Sequence, residues 1–216
     1  MQSYTVRNAT VRGAGRELLD LPAWKSADVA HVGTYPWYKS GQKQDTSVAI
    51  LNDGEALHIL FTATDAHSSA EPRVLNGDVC RDSCVEFFAS PFPGELSYFN
   101  LEINCCGALH LGWGESIRAR SLVDQQTARC IAVVTDFDGM VKDESSEDRQ
   151  WRVYARLPLA VIGRMAGRPI STAHAWRANF YRCGGKTDPQ YACWNPVAFE
   201  RPNFHTPESF GTLAFA

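Results

Sequence analysis

The sequence has no excess of positive charge: its 216 residues carry 21 Lys and Arg against 24 Asp and Glu, a formal net charge of −3. That balance gives a polyanion no electrostatic footing, so nucleic acid is an unfavoured partner. No apolar run approaches the roughly 20 residues that span a bilayer, which excludes a membrane helix. The opening Met1-Gln-Ser-Tyr-Thr-Val-Arg7 lacks the basic head, apolar stretch and small-residue cleavage site of a secretory leader. The expectation is a cytosolic protein as the chain stands, or a secreted one if a leader has been removed. Long helical periodicity is also missing, and so is any internal repeat or Gly-x-Ser-x-Gly nucleophile turn. Gly13-Ala-Gly15 has neither a preceding strand nor a third glycine, and gives no dinucleotide loop.

Hydrophobic residues, at 44%, and charged residues, at 21%, are in ordinary globular proportion, which excludes disorder, collagen and coiled coil. A chain of this length can bury roughly 70% of its unfolded surface and needs no staple to hold a core. Its seven cysteines are an odd number, and Cys105 and Cys106 are adjacent, so they read as reduced thiols.

Period-2 alternation dominates. Leu57, Ile59, Phe61 and Ala63 alternate along a strand at 56–64 that follows the turn Asn52-Asp53-Gly54. A more apolar strand runs from Ser83 to Ser90. In the stretch 97–105, Phe99, Leu101, Ile103 and Cys105 face one way, while Tyr98, Asn100, Glu102 and Asn104 face the other. Gly107 then turns the chain into a hairpin partner, 108–113. Further strands are expected at 130–135, 151–157, 174–181, 190–194 and 212–215. One short helix is expected at 159–165, opened by Pro158 and closed by Gly167. No linker divides the chain. The fold class is therefore all-β: an antiparallel β-sandwich of jelly-roll or immunoglobulin-like type, with one short helix, as one domain over residues 1–216.

The chemistry-bearing residues leave several readings open. Cys80 and Cys84 suggest a metal hook, but Cys84 starts a strand and the second pair has no gap, unlike structural zinc knuckles. Asp136-Phe-Asp138-Gly139 resembles the opening of a calcium loop, but glycine stands fourth, Met140 follows, and the EF-hand pattern fails. Glu86 and Glu102 lie on neighbouring strands among apolar residues. They suit acid–base work on a glycosidic bond, hydrogen bonding to a ligand, or a solvated face. Among 24 aromatics, Trp151 and Trp176 read as core, whereas Trp37-Tyr38, Trp113, Trp194 and Phe204 stand near loops and could form platforms for sugar rings.

Two blocks then become recognisable. The first is Arg81-Asp-Ser-Cys-Val-Glu86-Phe-Phe88, with Tyr98-Phe-Asn-Leu-Glu-Ile-Asn104 and Gly107 after it. The second is Trp176-Arg-Ala-Asn179-Phe-Tyr-Arg-Cys183, Trp194-Asn-Pro196, and Pro202-Asn-Phe204-His205-Thr-Pro207-Glu-Ser-Phe210-Gly-Thr-Leu213. In order and spacing these resemble the family 9 carbohydrate-binding modules, in their stand-alone, family-9-like branch, from about Leu21 to Phe215. The resemblance implies a non-catalytic β-sandwich that binds a mono- or oligosaccharide, of a kind usually attached to secreted glycoside hydrolases. It implies a ligand set drawn from Glu86, Glu102, Asn104, Asn179, Trp194, Phe204 and His205, with no catalytic residue. Glu102 stands where such modules carry arginine. Of the two tryptophans that clamp a saccharide end, one falls at Phe204, and the other at Val79 or Cys80, where no aromatic stands. Structural calcium occurs in the family, without a complete ligand set visible here. The competing readings are a glycan hydrolase using Glu86 and Glu102, a haem-binding sandwich with axial His, Met or Cys, and a decayed module acting in protein interaction.

Overall fold

The computed structural model describes residues 1–71, 73–137, 142–187 and 189–216. In chain order its strands are β1 (Ser3–Asn8), β2 (Val29–His31), β3 (Thr46–Asn52), β4 (Ala56–Thr64), β5 (Ser83–Ser90), β6 (Tyr98–Asn104), β7 (Leu109–Gly114) and β8 (Arg120–Leu122). There follow α1 (Gln125–Ala128), β9 (Ala132–Thr135), β10 (Gln150–Pro158), α2 (Leu159–Ala166), β11 (Trp176–Gly184), β12 (Tyr191–Cys193) and β13 (Gly211–Phe215). Among the described residues, no helix is long and apolar enough to cross a membrane.

The strands form two layers facing across one core, the expected all-β sandwich. One layer runs β8-β7-β6-β5-β11-β13, with β12 paired to β11; the other runs β3-β4-β10-β9, with β2 paired to β3. β1 joins them. Its residues Ser3 to Val6 pair with β13, and Arg7 and Asn8 pair with β3. Both pairings are parallel, an exception to the antiparallel rule of the other ladders. Parallel neighbours need long crossover connections, and here the first and last strands of the chain supply one of the two pairs.

The alternating segments appear at the expected places to within about three residues. Strands β1, β2, β3 and β8 escaped the pattern. β3 is apolar on both faces and so shows little alternation, while β2 and β8 have three residues each. α1 is likewise additional to the single expected helix: one turn, capped by Asp124, whose carboxylate accepts from the Thr127 amide at 2.9 Å. α2 ends at Gly167, whose φ of 71° is the left-handed conformation glycine adopts without a Cβ penalty.

Phe61 of β4 meets Phe180 of β11 edge-on at 6.3 Å across the two layers, and Phe87 packs between Phe99 and Phe180. Trp151 and Trp176 are fully enclosed in this core, as their strand positions implied. One polar knot crosses the apolar interior. Asp65, just past β4, pairs with Arg182 of β11 and accepts from the Ser83 hydroxyl at 2.7 Å and Trp151 Nε1 at 3.1 Å. Burial pushes its carboxyl up, but Arg182, Ser83 and Trp151 together hold it below the usual range. The knot thus ties β11 and β5 of one layer to β10 and β4 of the other.

The first layer is unusual in having its outer face covered too. Every residue of β5 and β6 is buried. The turn 79–81 and the segment 202–210 lie across that face, where Phe204 stacks on Tyr181 at 4.2 Å and Phe210 meets Tyr98 edge-on at 5.6 Å.

Asp65→Ala would strand the Arg182 guanidinium in the core. The expected loss is about 3–5 kcal/mol in a urea unfolding titration with unchanged slope; a loss under 1 kcal/mol would show that the knot does not join the layers.

Candidate functional site

The covered outer face holds a partly open cavity of about 300 Å³ between the turn 79–81, strands β5, β6 and β11, and the segment 202–205. Strand register brings its polar residues together. Tyr181, Glu86, Glu102 and His110 face one another across β11, β5, β6 and β7 as one cross-strand row. Registered partners point to the same side of a sheet, so the two glutamates are direct neighbours. Both are buried, at 2% and 5% exposed.

Their environment is that of carboxyls that resist ionisation. Burial raises Glu86 well above the usual carboxyl range, and the charge of Glu102 raises it further; the Cys183 thiol, donating to Oε1 at 3.1 Å, and the Arg120 guanidinium act in the opposite direction. Glu102 is raised by burial as well, opposed by His110, by Asn100 Nδ2 donating at 2.7 Å, and by Arg120. Two adjacent like charges in a low-dielectric site favour retention of a proton between them.

The cation comes from β8, and a glycine admits it. A Cβ at Gly112 would lie 2.5 Å from Asn100 Oδ1 and 3.0 Å from Arg120 Cδ. The bare backbone of β7 therefore lets the arginine cross toward the carboxylates and lets Asn100 reach Glu102. On the opposite wall, His205 Nδ1 lies 2.8 Å from the Tyr98 hydroxyl. Burial first, then Arg120 and His110, push His205 down to about 3, so it is neutral at physiological pH. Nε2 of His110 and Nη1 of Arg120 are buried, with no hydrogen-bond partner among the described residues.

Of the residues expected to contact ligand, Glu86, Glu102, Phe204 and His205 line this cavity. Asn104, Asn179 and Trp194 are not part of that lining and are engaged elsewhere. Asn104 donates to Asp82 and accepts the Ala108 amide, both at 2.8 Å, closing the hairpin between β6 and β7. Asn179 spends its amide on the backbone of Asn195 and Phe180. Trp194 continues the pairing of β12 with β11 through the Phe180 carbonyl and so turns inward, packing on Phe180 at 5.2 Å in the core. Trp113 packs edge-on against Phe92, away from the cavity lining.

Of the two residues where a second aromatic was expected, Val79 is wholly buried and Cys80 stands on the cavity lip, its thiol pushed up to about 12 by burial and then by both glutamates. Cys183 and Tyr191 of the lining, and His110, Arg120 and Tyr98 around it, were not singled out as ligand candidates in the sequence. His110 was legible in principle, as the partner of Glu102 across the hairpin; Arg120 lies on a strand too short to leave a pattern.

Three described carboxylates of the acidic loop already have partners. Asp138, Gly139 and Met140 lie outside the described residues. Asp136 is held by Arg152, Asp148 by Lys142, and Glu144 by the backbone of Lys186 and Thr187. Among the described residues, no group of three or more His, Cys, Asp or Glu is placed to hold a metal ion.

With this geometry in view, residues 17–215 match the sequence model of carbohydrate-binding family 9, and the chain belongs to that family. It is similar over its whole length to an attributed carbohydrate-binding protein from Bacteroides uniformis ATCC 8492, with 26% identity, 99% of that chain covered and a TM-score of 0.88. Two structures of a family 9 module from Caldicellulosiruptor kristjanssonii share the fold at 13% identity. The glucose complex is covered to 96% with a TM-score of 0.65, and the cellotriose complex to 93% with a TM-score of 0.64. No curated protein matches the sequence.

The raised glutamates carry a stability signature. In the unfolded chain Glu86 loses its proton near pH 4.3, whereas in the fold it keeps it to higher pH. Its contribution is thus fully present below about pH 4.3 and is lost as pH rises through the folded value. Glu86→Gln is expected to raise the melting temperature over wild type by a margin that is small at pH 4 and widest at pH 8. Each unit of pKa elevation corresponds to about 1.4 kcal/mol. A margin independent of pH between 4 and 8 would contradict the assignment.

Proposed function

We propose that the chain binds the end of a carbohydrate in the Glu86–Glu102 cavity and makes or breaks no bond there. The observation that carries this reading is a pair of neighbouring buried carboxyl groups lining one partly open cavity, with a guanidinium close by. Glu86 and Glu102 supply acceptors beside the Cys183 thiol, while the Arg120 guanidinium, whose buried Nη1 lacks a partner among the described residues, lies close enough to act on both carboxyls. A buried donor without a partner costs about 1–3 kcal/mol, which a ligand hydroxyl would recover. Sugar hydroxyls both donate and accept, and so suit both kinds of group. Phe204 adds an apolar edge to the lining.

Membership of family 9 supports this reading, as do the glucose and cellotriose complexes of distant structural relatives. Hydrolysis fits less well. A glycosidase needs its carboxyl groups to flank the scissile bond, one protonating the leaving oxygen and the other acting at the anomeric carbon. Here the two stand side by side on one sheet face and reach a ring from the same direction.

A thermal-shift and titration screen of mono- and oligosaccharides on wild type and Glu86→Ala tests the proposal. The expected result is a hit in the micromolar to millimolar range (roughly −8 to −4 kcal/mol) that weakens at least tenfold in the variant. A flat panel would favour the decayed-module reading and turn the search to protein partners. Gly112→Ala is expected to weaken the same hit by displacing Arg120 and Asn100 with both glutamates intact; unchanged affinity would remove Arg120 from the site.

A further inference from the structure

Beside the carboxylate cavity lies a larger groove, about 520 Å³, formed by the loop 35–40 together with Pro189–Tyr191 and Glu200–Pro202. The two are continuous: Tyr191 and Pro202 line both, and Trp37 of the groove meets Phe204 of the cavity at 5.8 Å. From this continuity we infer that the groove is a second binding subsite, which takes the further rings of an oligosaccharide whose end occupies the Glu86–Glu102 cavity. The inference rests on the carbohydrate reading above and deepens it, from a sugar to a chain of linked sugars.

Three observations carry it. The first is that the aromatics of the groove are not spent on the core. Tyr38 is 45% exposed, and Trp37 and Tyr191 are half-buried at the margin of the outer cluster. The second is that they are held in place by their own loop. Trp37 Nε1 donates to the Phe199 carbonyl at 2.7 Å, the Tyr38 hydroxyl donates to the Gly41 carbonyl at 2.7 Å, and Lys43 caps the Tyr38 ring at 4.7 Å. Aromatic side chains fixed before a ligand arrives lose little entropy on binding, so their stacking is available as affinity. The third is the rim. Lys39, Ser40, Glu200 and Arg201 bring charges of both signs around an aromatic floor. That combination suits a neutral, hydroxyl-rich chain better than an ion of either sign.

The arrangement also accounts for the lost clamp. Phe204 already stacks on Tyr181 and so offers little open face, and Cys80 supplies no ring opposite it. Stacking is displaced by one ring, from the cavity to the groove, while the cavity keeps the hydrogen bonds.

Calorimetric titration of the intact chain with β-1,4-linked and β-1,3-linked glucose series from one to four rings tests this, on wild type, Trp37→Ala, Tyr38→Ala and Glu86→Ala. The expected result is an affinity that rises about three- to tenfold from one ring to two or three. Trp37→Ala should abolish that rise while leaving single-ring affinity unchanged, and Tyr38→Ala should reduce it. Glu86→Ala should weaken every length alike. Tyr38 is exposed, so its variant folds even if Trp37→Ala does not. Affinity independent of length but sensitive to Glu86→Ala would overturn the subsite and leave the cavity reading standing. Binding that rises with length but is unaffected by both groove variants would also overturn it. No binding by any member, with the groove variants accepting a proline-rich peptide no worse than wild type, would overturn both readings.

Discussion

The site depends on a single register: Glu86 of β5 opposite Glu102 of β6. Side chains on a strand alternate, so a slip of one residue would carry both glutamates into the core between the layers and push Phe87 and Leu101 out. The apolar set facing the core forbids that slip. The same packing that holds the sandwich together therefore forces two carboxyl groups side by side on the outer face, where the 79–81 turn and the 202–210 segment remove them from water. Everything distinctive about the cavity follows: the retained proton, the thiol leaning on Glu86, and the guanidinium brought across a glycine to stand near the pair.

This arrangement costs stability and is kept in place by the rest of the fold. Buried like charges disfavour the folded state at neutral pH, and the unpartnered His110 and Arg120 atoms add to the cost. The Asp65–Arg182 knot and the aromatic core work in the other direction, fixing β5 and β11 against the second layer. A binding site prepared in this way has its polar groups already dehydrated and oriented, so a ligand that satisfies them is not charged again for ordering them. The aromatic loop 35–40 extends the same logic, with its rings pinned by backbone carbonyls before anything binds.

Much of the architecture was legible in the chain. Alternation, or for β5 an apolar run, placed nine strands, and the Pro158–Gly167 pair bounded α2. Where both faces are apolar, as in β3, or where a strand has only three residues, as in β2 and β8, there was no period to read. The site residues divide along the same line. Glu86 and Glu102 stood out as charges within apolar strands, and Phe204 and His205 through the resemblance. Asn104, Asn179 and Trp194 are of types that suit sugar binding, but a turn, backbone hydrogen bonds and the core engage them away from the cavity lining.

By itself, the sequence determined the class of the protein, since alternation, turn residues and ordered motif blocks are local properties that survive without knowledge of pairing. Only the tertiary structure decided which groups meet. Arg120 is 18 residues from Glu102 and 34 from Glu86, and nothing in its surroundings signals a link to them; it comes close enough to act on their charge where β7 carries glycine at position 112. Trp37 is far from Phe204 in the chain, yet the groove exists because the loop 35–40 folds against the segment 200–202. Contacts of this kind depend on where side chains arrive after the layers close, and that is a property of packing in three dimensions rather than of any local pattern.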